Sequence, residues 1–163
     1  VRIAGDELND AIRSYLKKVH SLEIGEKTAE GLKFRLGSAW KTEENDKYNV
    51  RGLNLINGLP RTVTVSRGEV REAIKEPLSQ IVDTVKRTLE RTPPELAADI
   101  YNRGIVVVGG GALLQGLDEL ISSETEVPVF IGDDPLSAVA IGTGKMLTDP
   151  TYNRVLELCQ INK

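Results

Sequence analysis

The chain has 163 residues, of which 40% are hydrophobic and 28% charged, a balance typical of a globular protein rather than a disordered one. Its formal net charge of −3 provides no broad basic surface, which argues against nucleic acid as a partner. A single cysteine, Cys159, and a single histidine, His20, predict no disulfide, no metal site and a cytoplasmic environment.

The sequence also bears on whether the chain crosses a membrane and whether it is whole. No apolar run approaches the roughly 20 residues that a membrane-spanning helix needs, and no signal-peptide pattern opens the chain. The sequence begins at Val1, without a methionine, in what reads as the end of a strand. We therefore interpret it as a fragment of a longer, soluble protein.

Helical periodicity dominates the first 40 residues. Apolar residues at helical spacing predict a first helix that is capped by Asp6 and ends near His20. A second helix is predicted to begin near Thr28 and to weaken at Gly37. The polar and charged segment 41–47 is interpreted as a solvated loop.

A β-hairpin is predicted next, because two β-favouring segments, 48–56 and 59–65, flank the turn-forming dipeptide Asn57-Gly58. Alternation along the second strand puts Val63 and Val65 on one face. The threonines beside these valines are expected on the opposite face.

A long amphipathic helix is predicted after the hairpin. Ser66 and Glu69 form a capping-box pattern, and apolar residues then recur at helical spacing as far as Leu89. Pro77 should kink this helix or split it in two, because proline has no N–H and clashes with the preceding turn. The segment Thr92-Pro93-Pro94-Glu95 is expected to cap a short helix.

The final third alternates between strands and helices. The predicted order is strand 104–108, helix 112–124, strand 127–131 and helix 135–147. Two strands separated by such a helix indicate a parallel pair with a right-handed crossover. The first strand is apolar at every position, as expected of a strand that is covered on both faces.

Two acidic residues follow the second of these strands. Asp133 and Asp134 are possible ligands of Mg²⁺, but Asp134 before Pro135 fits better as a helix N-cap followed by proline at the first helical position. We therefore assign this pair a structural role.

The best candidate for a binding site is the glycine triplet Gly109, Gly110 and Gly111, which directly follows the first strand. Glycines let the main chain approach a ligand, and ligands of such sheets bind beyond the carboxyl ends of the strands. A helix beginning at the glycines would add unsatisfied N–H groups and a positive dipole end. The alternative is that the glycines only turn the chain sharply, and the triplet by itself leaves both interpretations open.

Six segments, in order and across nearly the whole chain, resemble the C-terminal half of the MreB family, the bacterial actin-like cell-shape proteins. They are Arg2-Ile-Ala-Gly-Asp-Glu-Leu, Ile24-Gly-Glu-Lys-Thr-Ala-Glu30, Gly37-Ser-Ala39, Thr92-Pro-Pro-Glu-Leu-Ala-Ala-Asp99, Arg103-Gly-Ile-Val-Val-Val-Gly-Gly-Gly-Ala-Leu-Leu114 and Asp134-Pro-Leu-Ser-Ala-Val-Ala-Ile-Gly-Thr-Gly-Lys145. The ordered set is far more specific than the glycine triplet. One departure is Val108, where the family usually has threonine, and it should leave the turn intact.

This resemblance implies an α/β fold, namely domain II of an actin-like ATPase. In that domain a ribonuclease-H-like subdomain IIA is interrupted by a smaller α+β subdomain, IIB. The resemblance assigns residues 1–4 and 66–147 to subdomain IIA and residues 5–65 to subdomain IIB. Residues 148–163 would form a helical tail that leads back towards domain I.

The resemblance also implies a nucleotide site. Its glycine wall, Gly109, Gly110 and Gly111, would lie against the adenosine part of ATP, and Glu30 and Lys33 would approach the adenine and ribose from the facing subdomain. Residues three apart on a helix can point together into a cleft, where a carboxylate accepts from ribose hydroxyls and an ammonium group donates to them. An exposed ion pair is the alternative for Glu30 and Lys33.

The implied function of the intact protein is that of a cytoskeletal ATPase. It would bind ATP with Mg²⁺, assemble into filaments, and work with cell-shape and wall-synthesis proteins at the membrane. The resemblance places the phosphate loops of the family outside this match, so we expect this fragment to contain no catalytic residue and to hydrolyse no ATP. We also expect it to hold no cofactor alone. The membrane-inserting elements of the family likewise lie outside the match, so we expect no direct membrane contact. The alternatives are a chaperone or sugar kinase of the same superfamily, or an interaction module without a nucleotide role.

Overall fold

The computed structural model describes residues 3–43 and 46–152. Six α-helices and five β-strands are found in these residues, with two short 3₁₀ helices, Gly110–Leu113 and Pro150–Tyr152. In chain order the main elements are α1 (Gly5–His20), β1 (Leu22–Glu23), α2 (Glu26–Leu36), β2 (Lys47–Asn54), β3 (Pro60–Ser66), α3 (Arg67–Glu90), α4 (Pro94–Arg103), β4 (Ile105–Val107), α5 (Leu117–Thr125), β5 (Val129–Ile131) and α6 (Ala138–Thr148).

The first two helices begin earlier than the sequence predicts. Helix α1 starts at Gly5, and the carboxylate of Glu7 accepts a hydrogen bond from the N–H of Ala4 at 2.8 Å, so Asp6 lies in the first turn and is not the cap. Helix α2 starts two residues before Thr28. In both cases carboxylates in the first turn favour the earlier start because they interact well with the N-terminal end of the helix dipole.

The predicted hairpin is confirmed. Strands β2 and β3 pair antiparallel, and Val63 and Val65 are buried while the neighbouring threonines are exposed. The connection is longer than a two-residue turn, since five residues separate the strands. Gly58 adopts a φ of 70° there, and its N–H donates to the carbonyl of Asn54 at 2.8 Å.

Helix α3 is continuous through Pro77, so the proline does not split it in two, and a kink at Pro77 stays a prediction. Its start is as predicted, because Ser66 and Glu69 form the capping box. The continuity has a packing reason: the helix buries one apolar face on both sides of the proline, including Ile74 and Leu78. Packing of an apolar face can hold a helix together where local propensity is poor.

The second sheet contains only β4 and β5 among the described residues, and they are parallel as predicted. Val107 and Val129 pack against the core, whereas their neighbours Val106 and Phe130 are 63% and 52% exposed. The expectation of a strand covered on both faces is therefore wrong for the described part of the chain. Helix α5 packs against β5, and the opposite face of this sheet remains open.

Strand β1 pairs antiparallel with β2, so β1, β2 and β3 form a three-stranded sheet in that order. The hydrophobic core lies between this sheet and helices α1, α2, α3 and α5. Ile12, Leu32, Ile74 and Leu117 belong to this one cluster, so elements from both sheet regions share a single core. That shared core holds α2 and the segment after β4 at fixed positions relative to each other.

Some expectations fall at the margins of the described chain. Cys159 and most of the predicted tail 148–163 lie outside the described residues, as do Val1 and Arg2 of the predicted subdomain IIA. The division into subdomain IIA and subdomain IIB stays a prediction. In the part that the structure describes, no helix combines the length and apolar character that crossing a bilayer demands.

Candidate functional site

The glycine triplet forms a sharp turn at the carboxyl end of β4. Gly109 has a φ of 88° and a ψ of 175°, a conformation open to glycine and strained for other residues. Its N–H donates to the carbonyl of Pro135 at 2.6 Å, which ties this turn to the loop after β5. The two strand ends are thus joined, as expected for neighbouring parallel strands.

The chain after this turn differs from the prediction. Gly110–Leu113 is a four-residue 3₁₀ helix, and helix α5 begins only at Leu117. The reason is Gly116, which adopts a φ of 74° and interrupts the predicted helix 112–124. A 3₁₀ helix of one turn carries little dipole, so the argument for an anion site at an α-helix N-terminus does not apply here.

The second predicted helix start is also displaced. Helix α6 begins at Ala138 and not at Pro135, because Pro135–Ser137 forms a separate turn. Asp134 still caps that turn, since its carboxylate accepts from the N–H of Ser137 at 3.3 Å. Asp134 therefore has a structural role, but the prediction that it is the N-cap of the helix is wrong, because it caps a turn and lies four residues before the first residue of α6.

A cavity of about 530 Å³ lies between α2 and the glycine turn. Its apolar wall includes Leu8, Phe34 and Leu136, and the main chain of Gly110 and Gly111 closes another side. A Cβ added at Gly111 would meet nothing within 4 Å, so a side chain there would extend into open space. The absence of side chains at these glycines thus keeps the cavity wide.

Lys33 lies on this cavity, facing the glycines from α2. Its Nζ donates to the carbonyl of Gly5 at 3.0 Å and lies 5.4 Å from the centre of the Phe34 ring. A carbonyl does not neutralise the ammonium charge, which leaves Lys33 suited to an anionic or hydroxyl-bearing ligand. The structure therefore brings Lys33 together with Gly110 and Gly111.

Two of the predicted site residues, Glu30 and Gly109, do not line the cavity. Glu30 is exposed on α2 and does not line the cavity, so the expectation that it points there together with Lys33 is not met in this structure. Gly109 shapes the turn behind the wall and does not form part of the lining.

Arg67 also lines the cavity, and no pattern in the sequence points to it. Its side chain is only 7% exposed, and its guanidinium donates to a carboxylate oxygen of Asp46 and to the side-chain oxygen of Gln115, each at 2.6 Å. These partners are 21 and 48 residues away in sequence, so no local pattern could reveal the contact. Arg67 joins the start of α3 to the segment that follows the glycines.

The charge of the cavity is one-sided. Lys33, Arg35 and Arg67 line it, and no aspartate or glutamate appears among its described lining residues. Likewise, the described ranges hold no cluster of three or more histidine, cysteine, aspartate or glutamate side chains that would suit a metal ion. A cavity with apolar walls and basic groups suits a ligand that is both aromatic and anionic.

Comparison with known proteins identifies the family. A family model described as "MreB/Mbl protein" matches residues 1–154. The chain belongs to the MreB/Mbl family. Its fold is accordingly actin-like, as the resemblance implied.

Individual members of the MreB/Mbl family are similar over most of the chain. The cell shape-determining protein Mbl of Bacillus subtilis is 46% identical over 147 residues, which are 90% of this chain and 44% of that protein. The cell shape-determining protein MreB of Escherichia coli is 48% identical over 147 residues, 90% of this chain and 42% of that protein. The chain thus spans less than half the length of these relatives.

Solved structures agree with this assignment. MreB5 of Spiroplasma citri bound to ADP superimposes with a TM-score of 0.88 at 35% identity, covering 96% of this chain and 47% of that one. The same protein bound to AMPPNP gives a TM-score of 0.88, with 96% and 46% covered. The backbone arrangement of this chain is therefore similar to that of MreB5.

Proposed function

We propose that this chain is part of a bacterial actin-like cytoskeletal protein that binds ATP and assembles into filaments directing cell shape and wall synthesis. The observation that carries the proposal is the cavity in which Lys33 faces the main chain of Gly110 and Gly111. An aromatic base can pack on its apolar walls, and its basic residues complement an anion. The similarity to a relative described as bound to ADP supports the same ligand class here.

The proposed division of labour follows from the contents of the cavity. Gly110, Gly111 and Lys33 contact the adenosine part, and Gly109 sets the turn that holds the two other glycines. Glu30 approaches the ribose after a change of side-chain rotamer. Phosphate and Mg²⁺ are held by segments of the full-length protein other than this chain, so ATP hydrolysis belongs to the full-length protein alone.

We also propose that the full-length protein works in the cytoplasm, associated with the membrane through segments other than this one. Its partners are further copies of itself and proteins of cell-shape control and wall synthesis. The names of the relatives, cell shape-determining proteins, support this assignment. Negative-stain microscopy of the full-length protein with ATP should reveal filaments, and protein that stays monomeric at every salt and protein concentration would contradict it.

The site itself is tested by ATP titration of the full-length protein carrying Glu30→Ala and Lys33→Ala, singly and together. Loss of a charge-assisted hydrogen bond predicts that Lys33→Ala raises the Kd for ATP about tenfold or more. Glu30→Ala should have the smaller effect because Glu30 lies off the cavity wall. Gly111→Val should also weaken binding, since its side chain would occupy space that the ligand needs.

Lys27→Ala is the matched control for Lys33→Ala, because Lys27 is an exposed lysine on the first turn of the same helix. It should bind ATP with unchanged affinity. Unchanged affinity of the double variant would defeat the assignment of Glu30 and Lys33. ATP turnover that depends on an added sugar would instead favour a sugar kinase, and absence of any nucleotide binding would favour an interaction module.

A further inference from the structure

We propose that Arg67 and Gln115 form a second polar wall of the nucleotide cavity. In this pair Arg67 is a positioning residue that fixes the carboxamide of Gln115, and Gln115 donates hydrogen bonds to the nucleoside part of the ligand. Both residues line the cavity that contains Lys33 and Gly111. The inference rests on the proposed nucleotide function and adds to it a donor pair that is local to this chain.

Arg67 is held tightly in place. It is the first residue of α3, its N–H donates to the carbonyl of Asp46 at 2.9 Å, and its guanidinium donates to the carboxylate of the same Asp46 at 2.6 Å. A guanidinium that is this deeply buried is stable only when it is paired and hydrogen-bonded. These contacts restrict rotation of the side chain, so the position of its second donor, Nη1, which points to Gln115, is well defined.

This contact determines which way the Gln115 amide faces. Arginine can only donate hydrogen bonds, so the Gln115 atom at 2.6 Å from Nη1 of Arg67 must be the oxygen. The main chain of Gln115 is fixed as well, because its carbonyl accepts from the N–H of Ala39 at 2.7 Å and it forms a bridge with Ser38. The amide nitrogen is thus directed away from Arg67.

The amide nitrogen then has donors to offer to a ligand. Among the described residues no hydrogen bond uses the side-chain nitrogen of Gln115, although the residue lines the cavity. The described lining contains no carboxylate that would compete for these donors. A nucleoside presents ring nitrogens and ribose oxygens, which accept hydrogen bonds from such a group. Lys33 and Gln115 would therefore approach the nucleoside from two different elements.

The test is equilibrium binding of ATP and of adenosine to the full-length protein and its variants. Gln115→Glu keeps an oxygen for Arg67 but has no N–H, and the loss of one hydrogen bond of about 1 kcal/mol predicts a Kd about fivefold higher for both ligands. Arg67→Lys should have a similar effect, because an ammonium group cannot bridge the two acceptors as the planar guanidinium does. Combining Arg67→Lys with Gln115→Ala should weaken binding no further than Gln115→Ala alone.

Arg71→Lys is the matched control, since Arg71 lies four residues further along α3 and lines a different groove. Its Kd should be unchanged. The thermal midpoint of each variant without ligand separates binding from folding: lower midpoints with unchanged Kd values would make Arg67 merely structural and overturn the proposal. An effect of Gln115→Glu on ATP but not on adenosine would reflect charge repulsion and would also overturn it. Failure of the unmodified protein to bind either ligand would instead defeat the proposed nucleotide function itself.

Discussion

Glu69 shows how a few hydrogen bonds set the properties of one residue. One carboxylate oxygen lies 2.6 Å from Nε2 of His20, and the other accepts from the N–H and the hydroxyl of Ser66 at 2.9 and 2.8 Å. Burial by itself raises the pKa of the Glu69 carboxyl, but the hydrogen bonds from Ser66 and His20 outweigh it and hold that pKa below its ordinary value. The folded state therefore favours the ionised form.

The sign of the resulting pH dependence follows from this lowered pKa. Glu69 stabilises the fold fully above the pKa of an unfolded glutamate, about 4.3, and this contribution is lost as pH falls through the lower folded-state pKa. We expect Glu69→Gln to reduce the drop in unfolding free energy between about pH 6 and about pH 3, measured by urea titration. Glu76→Gln, an exposed position on the same helix, is the control. An unaltered pH dependence in Glu69→Gln would contradict this account.

At the residue scale, the sequence predicts those residue roles that depend on a local pattern or on the family resemblance. The capping pair Ser66 and Glu69 is local, and the structure has it. Lys33 and the glycines rest on the resemblance, and the cavity brings Lys33 to two of them. The role of Arg67 cannot be predicted from the sequence, because its side-chain partners lie 21 and 48 residues away. Nothing in the local sequence distinguishes a buried arginine from an exposed one.

At the scale of the element, substitution of Pro77 and of Pro94 should change the free energy of unfolding in opposite directions. Pro77 lies inside α3, where it leaves a main-chain carbonyl without its helical donor, whereas Pro94 is the first residue of α4, where no N–H is needed. We expect Pro77→Ala to raise the free energy of unfolding by about 1 to 2 kcal/mol, the restored hydrogen bond outweighing the greater freedom of the unfolded chain.

Pro94→Ala serves as the control for that measurement. It should be neutral or destabilise by up to about 1 kcal/mol, because proline at this position fits the helix and restricts the unfolded chain. Chemical denaturation of both variants gives the comparison. Destabilisation by Pro77→Ala would show that the shape imposed by the proline is needed for the packing of α3.

The same elements explain which secondary structure could be predicted. Helices with a long apolar period, such as α1 and α3, were predicted because their pattern and their packing agree. The segment after β4 could not be predicted in this way, because the 3₁₀ turn Gly110–Leu113 and the positive φ of Gly116 depend on how Trp40 packs beside them. A Cβ at Gly116 would lie 2.6 Å from the Cβ of Trp40. Periodicity carries no information on such a close approach.

At the scale of the whole molecule, one face of the β4–β5 sheet is open and apolar. Val106 and Phe130 are register partners on this face and are 63% and 52% exposed. Parallel strands in α/β proteins are covered on both sides, so an open apolar face of this kind favours association. The relatives Mbl and MreB are more than twice as long as this chain, so in those proteins the unmatched sequence is long enough to cover a face of this size.

We therefore expect the 163-residue chain to associate reversibly on its own, with sedimentation coefficients that rise with protein concentration. The double substitution Val106→Lys and Phe130→Lys should suppress this association, because lysines on an exposed sheet face oppose apolar contact between copies. Ile56→Lys is the control: Ile56 is 79% exposed at the tip of the β2–β3 hairpin, away from this sheet, and its substitution should leave association unchanged. A monomer at every concentration would contradict the prediction, and suppression by Ile56→Lys alone would move the contact from the open sheet face to the hairpin tip.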